Sequence, residues 1–589
     1  MRTNLAQTSQ KSRNIMPLLK LLIFIMLIFV FRATYIHLRT PYSENLDQIA
    51  EKQYKRSIKL DSYRGTIYDR RGQPLAISIK KKSIFINPKI FTPSKQNIRK
   101  LSRLLSKKPK TIQRISRMNS YFYWLKRKID QDTAAKVESL GIRGLYSINE
   151  PARFYPHGEI LAHTIGACGT DNTGLTGVEK SFNSHLKGNK SQVSRQADAL
   201  GRPIFRRPAS ARPEKSGQSL YLTIDLAIQE IAARSLKEGV KAANAKAGYV
   251  IVSDPFTGNI LAAANEPSFN PNQLSTMRKN NIRNRSFIDL IEPGSVVKPL
   301  VIGKALDLKA IRVNQEIFCE NGLYRQDKWK ISDSHPYESL SITDIITKSS
   351  NIGTYKVAKE IGPKYLYQAL IDAGIGIKAQ KIGVPGQATG RVSHWKNWKP
   401  QRFSNIAFGQ GFMTSALEIV GIYGAIANGG KLMKPILVRQ IRDSGGGVTK
   451  SAIPEVLGEV FSPKTAESLR LMLKKTVEYG TGRNASLPTH TSAGKTGTSE
   501  KVDSKTKAYS DYLRVASFAG FAPAIDPHIV IYVVIDEPGN KPYFGGTWAA
   551  PVFQKIADQT LKYLNVSPDK ATVDEQAAIR GILESPQNF

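Results

Sequence analysis

The chain has 589 residues, 41% of them hydrophobic and 8% aromatic, which excludes large-scale disorder and leaves room for two or three domains at roughly 100–200 residues each. Its formal charge of +39 favours anionic partners such as lipid head groups or an acidic cell-wall polymer, and equally fits a solvated basic surface. No zinc finger, ribonucleoprotein aromatic motif or basic zipper is present, so no nucleic acid partner is expected.

The first predicted element is apolar. Leu21 to Phe31, extended by Ile15 to Leu19 and Ala33 to Ile36, is interrupted only by Lys20 and Arg32 near its edges. About 20 residues at 1.5 Å each cross a hydrocarbon core of roughly 30 Å, and both cations are placed to snorkel. Arg2, Lys11 and Arg13 precede the run, which puts a tail of residues 1–16 in the cytoplasm and everything after the anchor outside. The exit, Phe31-Arg32-Ala33-Thr34-Tyr35, lacks the small residues of a cleavage site. An uncleaved single-pass anchor over 17–37 is therefore expected, followed by a weakly helical connector over 38–60.

Residues 61–215 are expected as one domain. It opens with Arg64-Gly65, and its Asp69-Arg70-Arg71-Gly72 turn separates strands at Thr66-Ile67-Tyr68 and Leu75-Ala76-Ile77. Residues 90–145 read as mainly helical and are strongly basic, continuing a run of cations that begins at Lys80-Lys81-Lys82. A polar stretch rich in proline and arginine, 200–216, marks the boundary. A second domain over 216–565 starts with Asp225 as the N-cap of a helix carrying Ile228, Ile231 and Leu236. Gly248 to Val252 and Ile260 to Ala264 read as a hairpin, and Ala493 to Ser499, Val515 to Phe521 and His528 to Ile535 as three further strands. Strands at both ends with helices between them predict an α+β multidomain protein, its larger domain built on an antiparallel sheet flanked by helices. Residues 566–589 form a polar tail.

The two cysteines, Cys168 and Cys319, fall in different domains and are not expected to pair. The eight histidines show no metal-binding spacing, so neither metal nor cofactor is expected.

Three short motifs follow one another in the second domain: Ser295-Val296-Val297-Lys298, Ser349-Ser350-Asn351 and Lys495-Thr496-Gly497-Thr498. Singly they mean little, since a serine three residues before a lysine also occurs at Ser78, Ser184, Ser492 and Ser504. Their ordered set is what informs. Pro293-Gly294 breaks the chain before a helix that begins near Ser295, where free N–H groups favour negative charge. Lys298 lies one turn on, within reach of the serine hydroxyl. A serine nucleophile needs a base, and a lysine serves when burial or a second cation, here Lys495, lowers its pKa. Ser349 and Asn351 suit proton relay and carbonyl binding. Lys495 with the Thr496 and Thr498 hydroxyls suits a carboxylate, Gly497 lets backbone approach a ligand, and the N–H groups of Ser295 and Thr498 can make an oxyanion hole.

With these motifs the chain resembles a class B penicillin-binding protein nearly end to end. The likeness covers the anchor, Arg64 to Ala76, Arg153 to Gly188, Asn265 to Asn272, Gly480-Thr481-Gly482, and Tyr543-Phe544-Gly545-Gly546-Thr547-Trp548 through Phe553. The last segment resembles the division-specific (septal) branch more than the elongation-specific one. The resemblance implies a non-catalytic pedestal followed by a transpeptidase domain of the serine β-lactamase type, in the bacterial inner membrane with its catalytic domain outside. It implies that Ser295 attacks the D-alanyl-D-alanine bond of a peptidoglycan stem peptide, that a neighbouring stem amine takes the acyl group, and that β-lactam antibiotics acylate the same serine. Expected partners are a polytopic glycan polymerase and other division proteins. The branch often carries Thr where this chain has Val296. Two alternatives stay open: an elongation-specific transpeptidase, and a penicillin-binding sensor or division scaffold with D,D-carboxypeptidase activity. A bifunctional enzyme with a glycosyltransferase is not supported, because Glu179 to His185 is one residue short of that motif and lacks its aspartate.

Overall fold

The computed structural model describes residues 6–38, 56–60, 62–189, 191–197, 203–206, 216–326, 329–377, 386–503, 506 and 508–570. Residues 1–5 of the expected cytoplasmic tail, 39–55 of the connector, most of the 200–216 boundary and 571–589 of the polar tail lie outside the described residues. Helix α1, Ala6–Leu38, contains a 20-residue apolar stretch, Met16–Tyr35, whose side chains bury nothing against the rest of the protein. That stretch is long and apolar enough to cross a membrane. Residues 56–60, expected as connector, are instead a strand paired antiparallel with Ser191–Ala197.

Strands β1 (Ile67–Tyr68) and β2 (Pro74–Ile86) flank the Asp69 turn. One Asp69 oxygen accepts the N–H groups of Arg71 and Gln73, each at 2.8 Å, which is how a short carboxylate fixes such a turn. Helices α2 (Lys95–Leu105) and α3 (Pro109–Ser116) follow, then β3 (Tyr123–Ile129), α4 (Gln131–Glu138) and β4 (Leu145–Phe154). The expectation of a mainly helical 90–145 is thus corrected at β3. Trp124 there packs edge-on against Phe85 of β2, and aromatic residues stacking across neighbouring strands favour sheet over helix. Ile98, Leu101, Leu105, Ile112 and Ile115 close a small core over Ile84 and Leu125. Beside it, Arg64 and Arg153 both bind Glu179, all three side chains being almost wholly buried. Glu179 is therefore a structural counter-ion, and stranding one of these charges by removing its partner costs about 3–5 kcal/mol.

The second region begins with β5 (Ser219–Leu222) and α5 (Leu226–Ala242), capped as expected by Asp225, which accepts the Ala227 N–H. Strands β6 (Ala247–Ser253) and β7 (Ile260–Glu266) form the hairpin. The helices that matter for the site are α6 (Lys298–Asp307), α7 (Ile342–Lys348), α8 (Asn351–Asp372, broken at Gly362-Pro363) and the buried α9 (Ala416–Ala427). Strand β8 (Val438–Arg442), helix α10 (Pro463–Tyr479), strands β9 (Ala493–Val502), β10 (Tyr509–Ala522) and β11 (Ile529–Asp536), and helix α11 (Gly545–Tyr563) complete it. The sheet is antiparallel throughout in the order β7-β6-β11-β10-β9. Alternation along its strands splits the core. Val250, Val252, Ile531 and Val533 pack with Leu236 of α5 and Phe553 of α11. On the opposite face, Tyr249, Ile251, Tyr532 and Val534 pack with α6 and α9.

The two regions share a second sheet. Its order is Val448–Ser451, β8, β5, β1, β2, β3, with β4 also on β2. The junction is the parallel pair of β1 with β5, Ile67 opposite Leu220. Arg71 reaches across to Asp225 at 3.2 Å and lies over the Tyr563 ring.

Candidate active site

Edge strand β9 faces the turn that carries Ser295. That turn, Gly294–Val297, is a tight 3₁₀ segment running straight into α6. Gly294 has φ +59, and a Cβ there would lie 3.0 Å from the Thr498 carbonyl oxygen. Its N–H is spent on the Gly409 carbonyl at 2.9 Å. Val296 and Val297 are fully buried, and Tyr423 of α9 donates its hydroxyl to the Val296 carbonyl at 2.9 Å. Core packing therefore holds the turn from behind and leaves Ser295 half-buried on the cleft side. Val296, where the branch often carries Thr, is turned into the core.

Lys298, one turn on, is fully buried. Its Nζ donates to the Ser349 carbonyl at 2.6 Å and to Asn351 Oδ1 at 2.7 Å, with Ser349 Oγ at 3.3 Å. Ser295 is not among these partners. Burial pulls this amine down to about 7, while the Asp333 carboxylate pushes the other way. A neutral amine has two N–H groups and one lone pair. The two short contacts use both donors, so the lone pair remains for a proton from a nearby hydroxyl.

Ser349 sits between α7 and α8 in the left-handed region at φ +64, which bends the chain so that its hydroxyl and Asn351 both face Lys298. Ser350 points the other way. It caps α8 at the Gly353 N–H and donates to Asp333 at 2.5 Å. Asp333 also accepts the N–H groups of Asn351 and Ile352, so one carboxylate holds the whole 349–352 corner. The sequence reading missed Asp333. It follows the strand Trp329–Ser332, far from the motif in sequence, and a lone aspartate before a turn carries no signal of this role.

Lys495 is fully buried on β9 and donates to the Thr496 carbonyl at 3.2 Å. Burial first, and the charge of Lys298 second, hold it well below the usual lysine range. Coupling between the two amines was expected, but Lys298 owes its own depression to burial. The same amine reaches Thr496 Oγ1 at 3.4 Å, while Thr496 and Thr498 themselves line the cleft. Thr496 Oγ1 lies 2.8 Å from Thr481 Oγ1, and Thr498 Oγ1 accepts the Gly545 N–H at 3.2 Å. Gly497 is packed so closely that a Cβ would stand 2.4 Å from Ser517 Oγ and 2.9 Å from Val296 Cγ1. Gly497→Ala must therefore push β9 off the serine turn. A loss of about 1–3 kcal/mol of stability is expected from such overpacking, visible as a lowered thermal midpoint, together with slowed acylation of Ser295.

A cleft of about 550 Å³ joins these elements. Ser295, Ser349, Asn351, Thr496 and Thr498 line it, with Thr481, Arg483, His335 and Phe544 completing the walls. Lys298, Lys495 and Gly497 are not on its surface. The cations that do open into it are Lys348 and Arg483, neither of which the motif reading singled out. Gly480-Thr481-Gly482 carried the available signal for Thr481. A hydroxyl at a helix entry, a buried amine that can shed its proton near pH 7 and a sheet edge with outward backbone suit nucleophilic acyl transfer.

Comparison with known proteins agrees with this geometry. Residues 248–558 match the penicillin binding protein transpeptidase domain, and residues 59–222 the penicillin-binding protein dimerisation domain. The probable peptidoglycan D,D-transpeptidase PenA of Neisseria gonorrhoeae is 33% identical over 91% of this chain and 90% of its own length. The peptidoglycan D,D-transpeptidase FtsI of Escherichia coli K12 is 30% identical over 90% and 89%. In fold, the chain matches penicillin binding protein 3 of Mycobacterium tuberculosis complexed with aztreonam, with a TM-score of 0.69 at 24% identity over 87% of this chain and 98% of that one.

Proposed function

The chain belongs to the class B penicillin-binding proteins, and on that footing we propose that it is a peptidoglycan D,D-transpeptidase working through a Ser295 acyl-enzyme at the division septum. The observation that carries the reading is the buried Lys298 amine, poised near neutrality between Ser295's turn and the Ser349–Asn351 corner.

Lys298 takes the Ser295 proton as the hydroxyl attacks the penultimate D-alanyl carbonyl of a stem peptide. The N–H groups of Ser295 and Thr498 stabilise the oxyanion. Collapse of the tetrahedral intermediate breaks the D-alanyl-D-alanine bond. The leaving amine takes its proton through Ser349, whose hydroxyl adjoins Lys298. Asn351 orients the Lys298 amine. The free carboxylate of the donor is received by the Thr496 and Thr498 hydroxyls, with the buried Lys495 amine donating to the Thr496 carbonyl and hydroxyl and so orienting that threonine. An amine of a second stem peptide then attacks the ester, which frees Ser295 and forms the cross-link. A β-lactam opens on Ser295 by the same first step, and its leaving group stays tethered.

Incubation with uncross-linked peptidoglycan strands tests the activity. Cross-linked dimers should accumulate with an equal release of D-alanine. Shortened, monomeric stems without dimers would instead mark a D,D-carboxypeptidase. The septal assignment is supported by the likeness to FtsI and PenA, and depletion should give filaments, where an elongation role would give rounded cells. The apolar helix α1 supports a single-pass anchor with the catalytic region outside the inner membrane, where a polytopic glycan polymerase and other division proteins are the proposed partners.

Asp333 offers a check on the base. Its carboxylate favours the ammonium form of Lys298, so Asp333→Asn removes negative charge and makes deprotonation easier. The acidic limb of the acylation rate should move to lower pH. A limb that moves up, or stays, would refute the coupling.

A further inference from the structure

Residues 70–129 hold 18 lysines and arginines and no aspartate or glutamate, so about a tenth of the chain supplies 18 charges towards a net of +39. The fold treats these cations in two ways. On the sheet and its turn they are partly neutralised: Lys82 pairs with Glu138, Arg127 with Glu150 and Asp171, and Arg71 with Asp225. On α2, α3 and the residues joining and ending them, the nine from Lys95 to Arg117 enter no ion pair among the described residues, and eight of them are exposed. Like charges so placed repel one another, and an anionic surface relieves them.

Apolar and aromatic side chains adjoin the cations. Met118 and Tyr121 are 41% and 42% exposed just beyond α3, and the Lys89 ammonium sits 3.9 Å above the Tyr121 ring. Half-buried Phe122 and Trp124 follow, their rings 4.9 Å apart. Cations beside rings that keep one edge wet suit the head-group zone of a bilayer, where aromatic residues and methylenes gain from the acyl boundary. A soluble polyanion gains little from them. The tether points the same way. From Leu38 to Ser62 the chain runs 24 residues, a reach of at most about 86 Å at roughly 3.3–3.6 Å per residue. The pedestal is thus kept at high effective concentration beside the bilayer that holds α1.

We propose that α2, α3 and residues 118–124 form a docking surface for anionic lipid head groups, laying the pedestal against the membrane in which the chain is anchored. The inference rests on the anchor and is independent of the chemistry at Ser295.

The test uses the full chain held by α1 in nanodiscs of neutral phosphatidylcholine or of phosphatidylcholine mixed with phosphatidylglycerol. Met118→Cys carries a polarity-sensitive dye; Cys168 and Cys319 are buried and do not compete for it. Anionic discs should shift its emission to the blue and lower acrylamide quenching several-fold. High salt should reverse the effect by screening, as should the combined variant Lys100→Gln, Lys108→Gln, Lys110→Gln and Arg114→Gln. Fluorescent-penicillin labelling of each variant reports an intact fold and reads the Ser295 chemistry separately from lipid contact. Equal quenching in both discs overturns the proposal. So does protection of the dye by added peptidoglycan strands in neutral discs with none from phosphatidylglycerol, which would assign the surface to an acidic glycan.

Discussion

Ser295→Ala should lose covalent labelling by a fluorescent penicillin entirely, with thermal unfolding unchanged. The fold is insensitive because the hydroxyl is half-buried on the cleft side, while Val296, Val297 and the Tyr423 hydrogen bond secure the turn without it. The chemistry is sensitive because the ester oxygen itself is gone. Ser349 is the hydroxyl best placed to substitute, at 3.3 Å from the same amine. Residual labelling in Ser295→Ala, abolished by adding Ser349→Ala, would move the nucleophile to Ser349 and overturn the assignment. Labelling that persists in both variants would place it elsewhere in the cleft.

Lys298→Ala should slow acylation by roughly 10²–10⁴-fold, the usual contribution of a positioned general base. In the unmodified protein the rate should climb about tenfold per pH unit up to about 7 and level off above it. The sign follows from the charge state: below that value the buried amine carries a proton and cannot accept another. Lys298→Ala should lose this limb along with the rate. Stopped-flow acylation across pH reads both, and a variant that keeps the limb would show that another group titrates. Stability moves less simply, because deleting the amine leaves the Ser349 carbonyl and Asn351 Oδ1 without their donor, at about 1–3 kcal/mol for each buried group left unpaired. The rate should therefore be normalised to folded protein.

What the sequence made legible was local. Pro293-Gly294 announces a helix entry, Asp225 announces a cap, and Lys298 one turn after Ser295 needs only helical geometry. The antiparallel sheet followed from β-rich stretches at both ends of the second region. Tertiary packing decided the rest. Whether Lys495 opens to the cleft or turns inward depends on which face of β9 meets the core, and the strand's alternation alone does not say. Asp333 reaches the 349–352 corner by spatial return of a distant hairpin. Ser349 adopts a backbone conformation that serine seldom takes, so no residue type signalled it. Strand β3 was hidden by the basic, helix-favouring neighbours on both sides of it.

The continuous sheet from β8 through β5 and β1 to β3 means that no clean cut separates the catalytic region from what precedes it. A fragment beginning at residue 216 would bare β5 along the side that β1 now covers, and an unmatched strand invites pairing with another copy. It would also forfeit the Arg71 link to Asp225, which supports the cap of α5. Recombinant work on this enzyme is therefore best begun upstream of Ser62, and truncations inside that limit should yield clumping, short-lived material whatever the state of their catalytic residues.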